Sequence, residues 1–289
     1  MNSRIEAPVI GYTLGDQAGI GPEIMAAALA HLPSVAEYRP MGASIDATPG
    51  NPTEATARAA LEQLERAAEE LRCGTIDAVV TAPICKENLH KLGFLYPGQT
   101  EFFADRLGVR DFAMCLTGKR LTVALATTHV ALRDVPAILK IDDLVRTGRL
   151  LANFLRQTGR ENPRIALAGI NPHNGEAGAF GDEESRIIAP AVRVLQSMVG
   201  AEFSGPCVPD CVYRDAAEGV YDAILAPYHD QALIPLKLLD FDNAVNATLG
   251  LPRLRVSPDH GTAFAIAGKG IANPSSTIRA FELALASVR

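Results

Sequence analysis

No stretch of the sequence approaches the ~20 consecutive apolar residues that a membrane-spanning helix needs, and the opening MNSRIEAPVIGYTLGD lacks the apolar core of a secretory signal. A cytoplasmic protein with no membrane partner is the expectation. Positive charge is short as well: 27 Lys and Arg face 33 Asp and Glu, for a net charge of -6, and no basic stripe with interleaved aromatics is present. That balance argues against a nucleic-acid or anionic-membrane partner. The five cysteines, an odd number scattered at Cys73, Cys85, Cys115, Cys207 and Cys211, do not make the paired framework of a disulfide-stapled domain and read as reduced thiols. Cys207 and Cys211 form a C-x3-C pair that can chelate zinc, but no second pair accompanies it, and structural zinc usually takes four ligands in two clusters. What remains is the composition of an ordinary soluble enzyme, 48% hydrophobic and 21% charged, long enough at 289 residues for one large α/β domain or two smaller ones.

Short apolar runs alternate with longer segments of helical period, the pattern of an α/β fold with a largely parallel sheet. The predicted strands are PVIGYTL, IDAVVTAP, LTVALATTH, RIALAGIN, YDAILAPY and NAVNATL. The predicted helices run from Pro22 to His31, Pro52 to Cys73, Asp142 to Thr158, Glu183 to Val199, and Ser275 to the C-terminus. Proline in the first turn opens the first helix, and Pro274-Ser275-Ser276 opens the last. No repeat or linker breaks the series, so two domains, if present, are interwoven.

Three of the six histidines stand just past apolar runs: His129 in ALATTHVALRDVP, His173 in IALAGINPHNGEAGAFG and His229 in AILAPYHDQALIPLK. Imidazoles on strand-end loops can converge on one divalent metal, although a single such histidine is more often a polar cap on a backbone carbonyl. Asp134, Asn171, Asn174, Glu176 and Asp230 add oxygens that can orient the rings or complete a site with an open position. The glycine-rich GDQAGIGPEI joins a strand to a helix and can offer its amides to an anion, or is simply a tight turn. The second glycine-rich loop, Ser257 to Ser276, carries His260, Lys269 and Asn273; it can wrap a nucleotide with backbone groups or merely end a strand. Cations suited to an anionic substrate follow the third histidine: Lys237, Arg253 and Arg255, with Asn246 among them.

Seven strings in order from about Val9 to the C-terminus carry a resemblance: GDQAGIGPEI, TAPICKENLHKLG, PGQTEFFA, HVALRDVP, INPHNGEAGAFGDEE, YHDQALIPLK and LGLPRLRVSPDHGTAFAIAGKG. The chain resembles the 4-hydroxythreonine-4-phosphate dehydrogenase family of pyridoxal-phosphate (pyridoxine) biosynthesis and its paralogues. The resemblance implies an isocitrate/isopropylmalate-dehydrogenase-like α/β fold of two interwoven α/β/α subdomains with a cleft between them. Residues 1–125 plus 250–289 would form the first, on the cofactor side, and 126–249 the second, with the metal site and dimer interface. It further implies a homodimer with shared active sites, and a divalent ion (zinc, with Mg or Co as alternatives) on His129, His173 and His229. The matching substrate residues are Gln99, Thr100, Lys237, Asn246 and Arg255. The loop holding His260, Gly261, Thr262, Ala263 and Asn273 is similar to the adenosine-binding loop of isopropylmalate dehydrogenases, which brings in NAD.

The implied reaction is NAD-linked, metal-dependent oxidation of the C3 hydroxyl of a phosphorylated hydroxy acid, 4-phosphohydroxy-L-threonine or a 4-phosphothreonate-like relative, then decarboxylation of the 3-oxo acid. Lys237, or a water held by Asp230, would take the hydroxyl proton. Three departures stand out. Gln99 replaces a histidine in the family's HTEF pattern. Ala265 replaces an acidic residue that would hold ribose hydroxyls. The first subdomain is shortened near residues 42–52 by a few tens of residues. These keep two alternatives open: a paralogue oxidising a cyclic dihydrodiol carboxylate, and a non-catalytic metal-binding descendant.

Overall fold

The computed structural model describes residues 7–288. The first six residues of the segment read for a secretory signal, and Arg289 at the end of the last predicted helix, lie outside the described residues. Two compact units divide the chain, one running to Arg110 and resuming at Val245, the other spanning Asp111–Ala244. The first unit begins with β1 (Val9–Tyr12), α1 (Gly21–Leu29), β2 (Glu37–Pro40), α2 (Glu54–Cys73), β3 (Ala78–Val80), α3 (Lys86–Lys91) and α4 (Gln99–Arg106). The second holds β4 (Ala113–Thr117), β5 (Thr122–Leu125), α5 (Val135–Ile138), α6 (Ile141–Gln157), β6 (Arg164–Ala168), α7 (Ala189–Gln196), β7 (Glu202–Cys207), α8 (Pro209–Ala217), β8 (Ala223–Ala226) and α9 (His229–Asp240). The chain then returns to the first unit with β9 (Val245–Leu249), β10 (Leu254–Pro258) and α10 (Ser275–Ser287).

Among the described residues each unit contains five strands, in the order β2-β1-β3-β10-β9 in the first and β4-β5-β8-β6-β7 in the second. Pairing is parallel except at β9–β10 and β4–β5, where the two strands are hydrogen-bonded as antiparallel neighbours. These pairings set the division of the chain. Strand β4 pairs with β5, and β5 pairs with β8, so residues 113–125 belong to the second unit rather than to the first, where the sequence reading put them. Strand β9 pairs with β10, so residues 245–249 belong to the first.

Local chemistry explains the long elements. Thr53 and Thr56 close a reciprocal capping box at the start of α2, and Gly74 ends it in the left-handed region at φ 75°. Arg253, read as a candidate substrate cation, donates to the Leu71 carbonyl at 3.0 Å, which makes it a cap for the carboxyl end of α2. Helix α6 buries Leu144, Leu151 and Leu155 along one stripe, as its helical period predicts. All six predicted strands and all five predicted helices are present, with ends shifted by a few residues. Strands β2, β4, β7 and β10 and helices α3, α4, α5, α8 and α9 were not anticipated. The segment after β2 crosses directly to α2, held by Gln17, which bonds the Ala43 carbonyl and the Ile45 amide. Among the described residues no helix is long and apolar enough to cross a membrane, and all five cysteines are free thiols.

Candidate active site

Strand register brings two of the three histidines together. Strands β5 and β8 run parallel with Leu125 beside Ala226, so the loops leaving their carboxyl ends travel side by side. The pairing extends past the strands: Ala126 N donates to the Ala226 carbonyl at 2.9 Å, and both Thr127 N and Thr127 Oγ1 donate to the Pro227 carbonyl. His129 and His229 follow at once, with ring centroids 5.6 Å apart. They face a cavity of about 190 Å³ shared with Val130, Leu132, Val135 and Tyr228. His229 Nδ1 is hydrogen-bonded to Asp230 Oδ1 at 2.7 Å, which leaves its Nε2 as the ring nitrogen available to a ligand.

His173 leaves the next strand. Strand β6 is parallel to β8 on its other side, so its exit loop rises from the same edge, and Gln231 Nε2 in the first turn of α9 donates to the Gly169 carbonyl at 2.7 Å. From Asn171 the chain enters a turn in which five consecutive residues, His173 to Ala177, have positive φ between 41° and 77°. Only Gly175 takes that conformation without penalty, and each of the other four costs about 1–2 kcal/mol. Surrounding bonds compensate: Asn174 Nδ2 donates to the Pro206 carbonyl, and Glu184 receives the amides of Ile170 and Asn171, each at 2.7 Å. Burial pushes the Glu184 carboxyl up, but the Asn171 and Ile170 amides outweigh it and hold the group below its usual range. Asn171 and Asn174, expected as donors that orient imidazoles, thus serve the turn. Among the described residues no group of three His, Cys, Asp or Glu side chains is placed to hold a metal ion.

The candidate general bases sit on α9, Asp230 in its first turn and Lys237 in its last. Lys237 Nζ stands 5.9 Å from the centre of the Phe241 ring. The outer face of the same helix exposes Ile234 (66%), Leu238 (83%) and, just beyond it, Phe241 (70%).

A second cluster lies in the first unit. Arg255 on β10 is 2% exposed. Its guanidinium donates to Thr81 Oγ1 at 2.7 and 3.0 Å, to Gln99 Oε1 at 2.8 Å and to Thr248 Oγ1 at 3.4 Å. Register explains the set, because Arg255 is paired with Val79 of β3 and with Thr248 of β9. Thr100 reaches the same point through Thr248 Oγ1 at 3.2 Å, and Asn246 Oδ1, two residues along β9, is buried without a partner. Every hydrogen-bond acceptor around this cation is neutral. Burial accordingly pushes Arg255 down to about 9, opposed by the charge of Glu101. A buried cation with neutral partners, beside the uncapped amino end of α4, is chemically able to take an anion. Gln99, Thr100 and Arg255 therefore converge as one group, with Asn246 two residues along the neighbouring strand. The Thr81 and Thr248 hydroxyls that complete it, and Gln231 and Glu184 in the other unit, went unassigned in the sequence, although YHDQ and GDEE already displayed the last two.

The third cluster is the loop after β10. The Thr262 carbonyl accepts from Ile20 N at 2.9 Å, and a side chain at Gly19 would strike that carbonyl. Gly50 N donates to the Ala18 carbonyl, and Pro49 abuts Gly268, so the segment between β2 and α2 lies against this loop. Ala263 is left-handed at φ 44°, Ala265 is exposed, and His260 Nε2 is buried without a partner. Asn273 Oδ1 accepts from Ser275 N, the first amide of α10, at 3.0 Å.

Comparison with known proteins matches these features to a family. The family model described as "Pyridoxal phosphate biosynthetic protein PdxA" matches residues 21–284. The 4-hydroxythreonine-4-phosphate dehydrogenase of Desulfosudis oleivorans is 40% identical over 329 aligned positions, covering 99% of this chain and 96% of the relative. Set against 289 residues, those positions leave at least 40 without a counterpart here, in keeping with a shortened chain. The crystal structure of the enzyme of that name from Klebsiella pneumoniae superposes with a TM-score of 0.84 at 37% identity, covering 99% of this chain and all of the other. A terephthalate 1,2-cis-dihydrodiol dehydrogenase from Burkholderia xenovorans gives 0.72 at 27% identity, covering 97% and 98%. Isocitrate dehydrogenase from Methylococcus capsulatus, at 0.53 and 15% identity over 97% of this chain and 88% of its own, shares the fold alone, which is the isocitrate-dehydrogenase-like architecture expected. With a family match that takes in α1, the histidine loops, the Arg255 cluster and most of α10, this chain belongs to the PdxA family of pyridoxal phosphate biosynthetic proteins.

Proposed function

We propose that this chain is a divalent-metal-dependent, NAD-linked dehydrogenase that oxidises the C3 hydroxyl of a phosphorylated hydroxy acid, 4-phosphohydroxy-L-threonine or a 4-phosphothreonate-like relative, and releases CO₂ from the resulting 3-oxo acid. The observation that carries it is the pair His129 and His229, side by side over a cavity with Asp230 behind one ring. Two imidazoles on one tetrahedral zinc at ~2.0–2.1 Å have centroids about 5 Å apart, so the observed 5.6 Å suits a shared ion. His173 would complete the set from a second copy, since one chain assembles two of the three. The stripe of Ile234, Leu238 and Phe241 supports a homodimer, because a helix face this apolar is ordinarily covered. The relatives named as dehydrogenases support the reaction class.

The ion supplies acidification of the substrate alcohol, and NAD supplies the hydride acceptor. The chain does the rest. Arg255, Thr81 and Gln99 bind an anionic group of the substrate, Asp230 fixes the His229 tautomer, and Lys237 or a water on Asp230 takes the hydroxyl proton. An absorbance assay for NADH with phosphorylated hydroxy acids should show turnover that a chelator abolishes. His229→Ala should lower kcat about 10³-fold, the several kcal/mol a metal contributes. Undiminished turnover in either case removes the metal from the reading. A cyclic dihydrodiol carboxylate is the second substrate class, favoured by the Burkholderia relative and by a carboxylate's equal fit to Arg255; the same assay, run on both classes, decides.

The loop from His260 to Asn273 fits NAD as a cradle of backbone groups, but it presents no carboxylate at Ala265 to ribose hydroxyls. Ala265→Asp should therefore lower the KM for NAD about 10- to 100-fold, the worth of one charge-assisted hydrogen bond, with kcat unchanged. An unaltered KM places the ribose elsewhere.

A further inference from the structure

We infer that Glu184 is a positioning residue whose buried carboxylate clamps the left-handed turn that presents His173. Glu184 is 4% exposed and opens a π-helical turn, Glu184–Ile188, that leads into α7. Its Oε1 receives Ile170 N and Asn171 N, each at 2.7 Å, and its Oε2 receives Asn171 Nδ2 at 3.0 Å. All three donors are amides at the point where the chain enters the turn. The same carboxylate closes on the middle of the turn: a Cβ on Gly175 would lie 3.0 Å from Glu184 Oε2 and would strike the Gly181 carbonyl. A Cβ on Gly169 would strike Asn174 Oδ1 and sit 3.2 Å from Glu184 Oε1. One anion therefore touches both the entry and the interior of a segment whose backbone resists its own conformation at four of five residues. Buried with no cation among these partners, its role is to satisfy and hold the turn, with His173 left exposed at its start.

The inference rests on the metal reading above, and zinc affinity separates the two. Glu184→Gln keeps size and one acceptor oxygen but turns an amino group toward Asn171 Nδ2, which also donates. In the full-length protein, zinc affinity measured by competition with a chromogenic chelator should fall about 10- to 100-fold. Saturating zinc should restore kcat, because only the fraction of molecules holding the turn in its competent shape is reduced. The substrate KM should stay within about twofold, a split that general destabilisation does not produce. Gly175→Ala drives a methyl into the Gly181 carbonyl and against Glu184 Oε2, deforming the clamped turn from inside, and should give the same loss, which keeps the test open should Glu184→Gln fail to fold. His173→Ala is the reference. Wild-type zinc affinity in His173→Ala overturns the metal reading itself. Loss in His173→Ala with wild-type affinity in Gly175→Ala, or in a folded Glu184→Gln, overturns the role of Glu184 alone.

Discussion

Two inactive variants, His173→Ala and His229→Ala, should regain roughly a quarter of wild-type activity when their subunits are exchanged, the share set by a two-fold dimer with one intact site per heterodimer. A single chain assembles His129 and His229, and among the described residues it shows no group of three able to hold a metal. If each site takes that pair from one protomer and His173 from its partner, every site in either parent dimer lacks a ligand. In the heterodimer one site collects both lesions and the other collects none. Random reassortment makes half the dimers heterodimers, each with one working site of two. A mixture of His129→Ala and His229→Ala must stay inactive, because those two side chains belong to the same half-site. Leu238→Glu, which places a charge on the exposed apolar stripe of α9, should dissociate the dimer in light scattering and abolish the rescue. Absence of rescue in verified heterodimers would mean that all three ligands come from one chain, and the shared-site reading would be lost.

Substitution of Arg255 should produce the second large effect. Arg255→Met is expected to raise the KM for a phosphorylated substrate by about 30-fold or more, since truncating one partner of a buried charge pair costs about 2–5 kcal/mol. Phosphate or sulfate should raise the melting temperature of the wild type and leave that of Arg255→Met unchanged. The sign follows from linkage. Burial lowers Arg255 to about 9 in the folded chain, well below the value of the free guanidinium. Between those values the unfolded chain binds the extra proton, so stability rises with pH there; below about 9 the buried charge is a standing cost. An anion seated on the guanidinium offsets that cost. Equal stabilisation of both proteins by phosphate would place the anion site elsewhere.

The clusters differ in how far they could be read in advance. Each metal-candidate histidine follows an apolar run that had to be a buried strand, and parallel strands deliver their exit loops to one edge. His129, His173 and His229 were therefore legible as strand-end residues. The same reading missed that His229 opens a helix: α9 has no side-chain cap and carries Pro235 in its interior, both of which argue against a helix in a sequence. Strand β7, EFSGPC, hid behind its glycine and proline, and β2, EYRP, behind its polarity. The candidate substrate residues were taken from family strings, but why they should lie together was not visible. Thr248 meets Arg255 only through the pairing of β10 with β9, and Gln99, 156 positions before Arg255, reaches it from the amino end of α4.

Composition and hydrophobic period by themselves determined an α/β chain with strands ending in histidines and glycine-rich turns, because burial imposes a period that any reader of the residues can see. Tertiary structure alone decided the pairing of those strands, the burial of Arg255 among neutral hydrogen-bond partners and the left-handed turn under His173. Register is a relation between segments far apart in the chain, and a strained backbone survives only where neighbours such as Glu184 hold it; neither property belongs to any stretch of sequence taken alone.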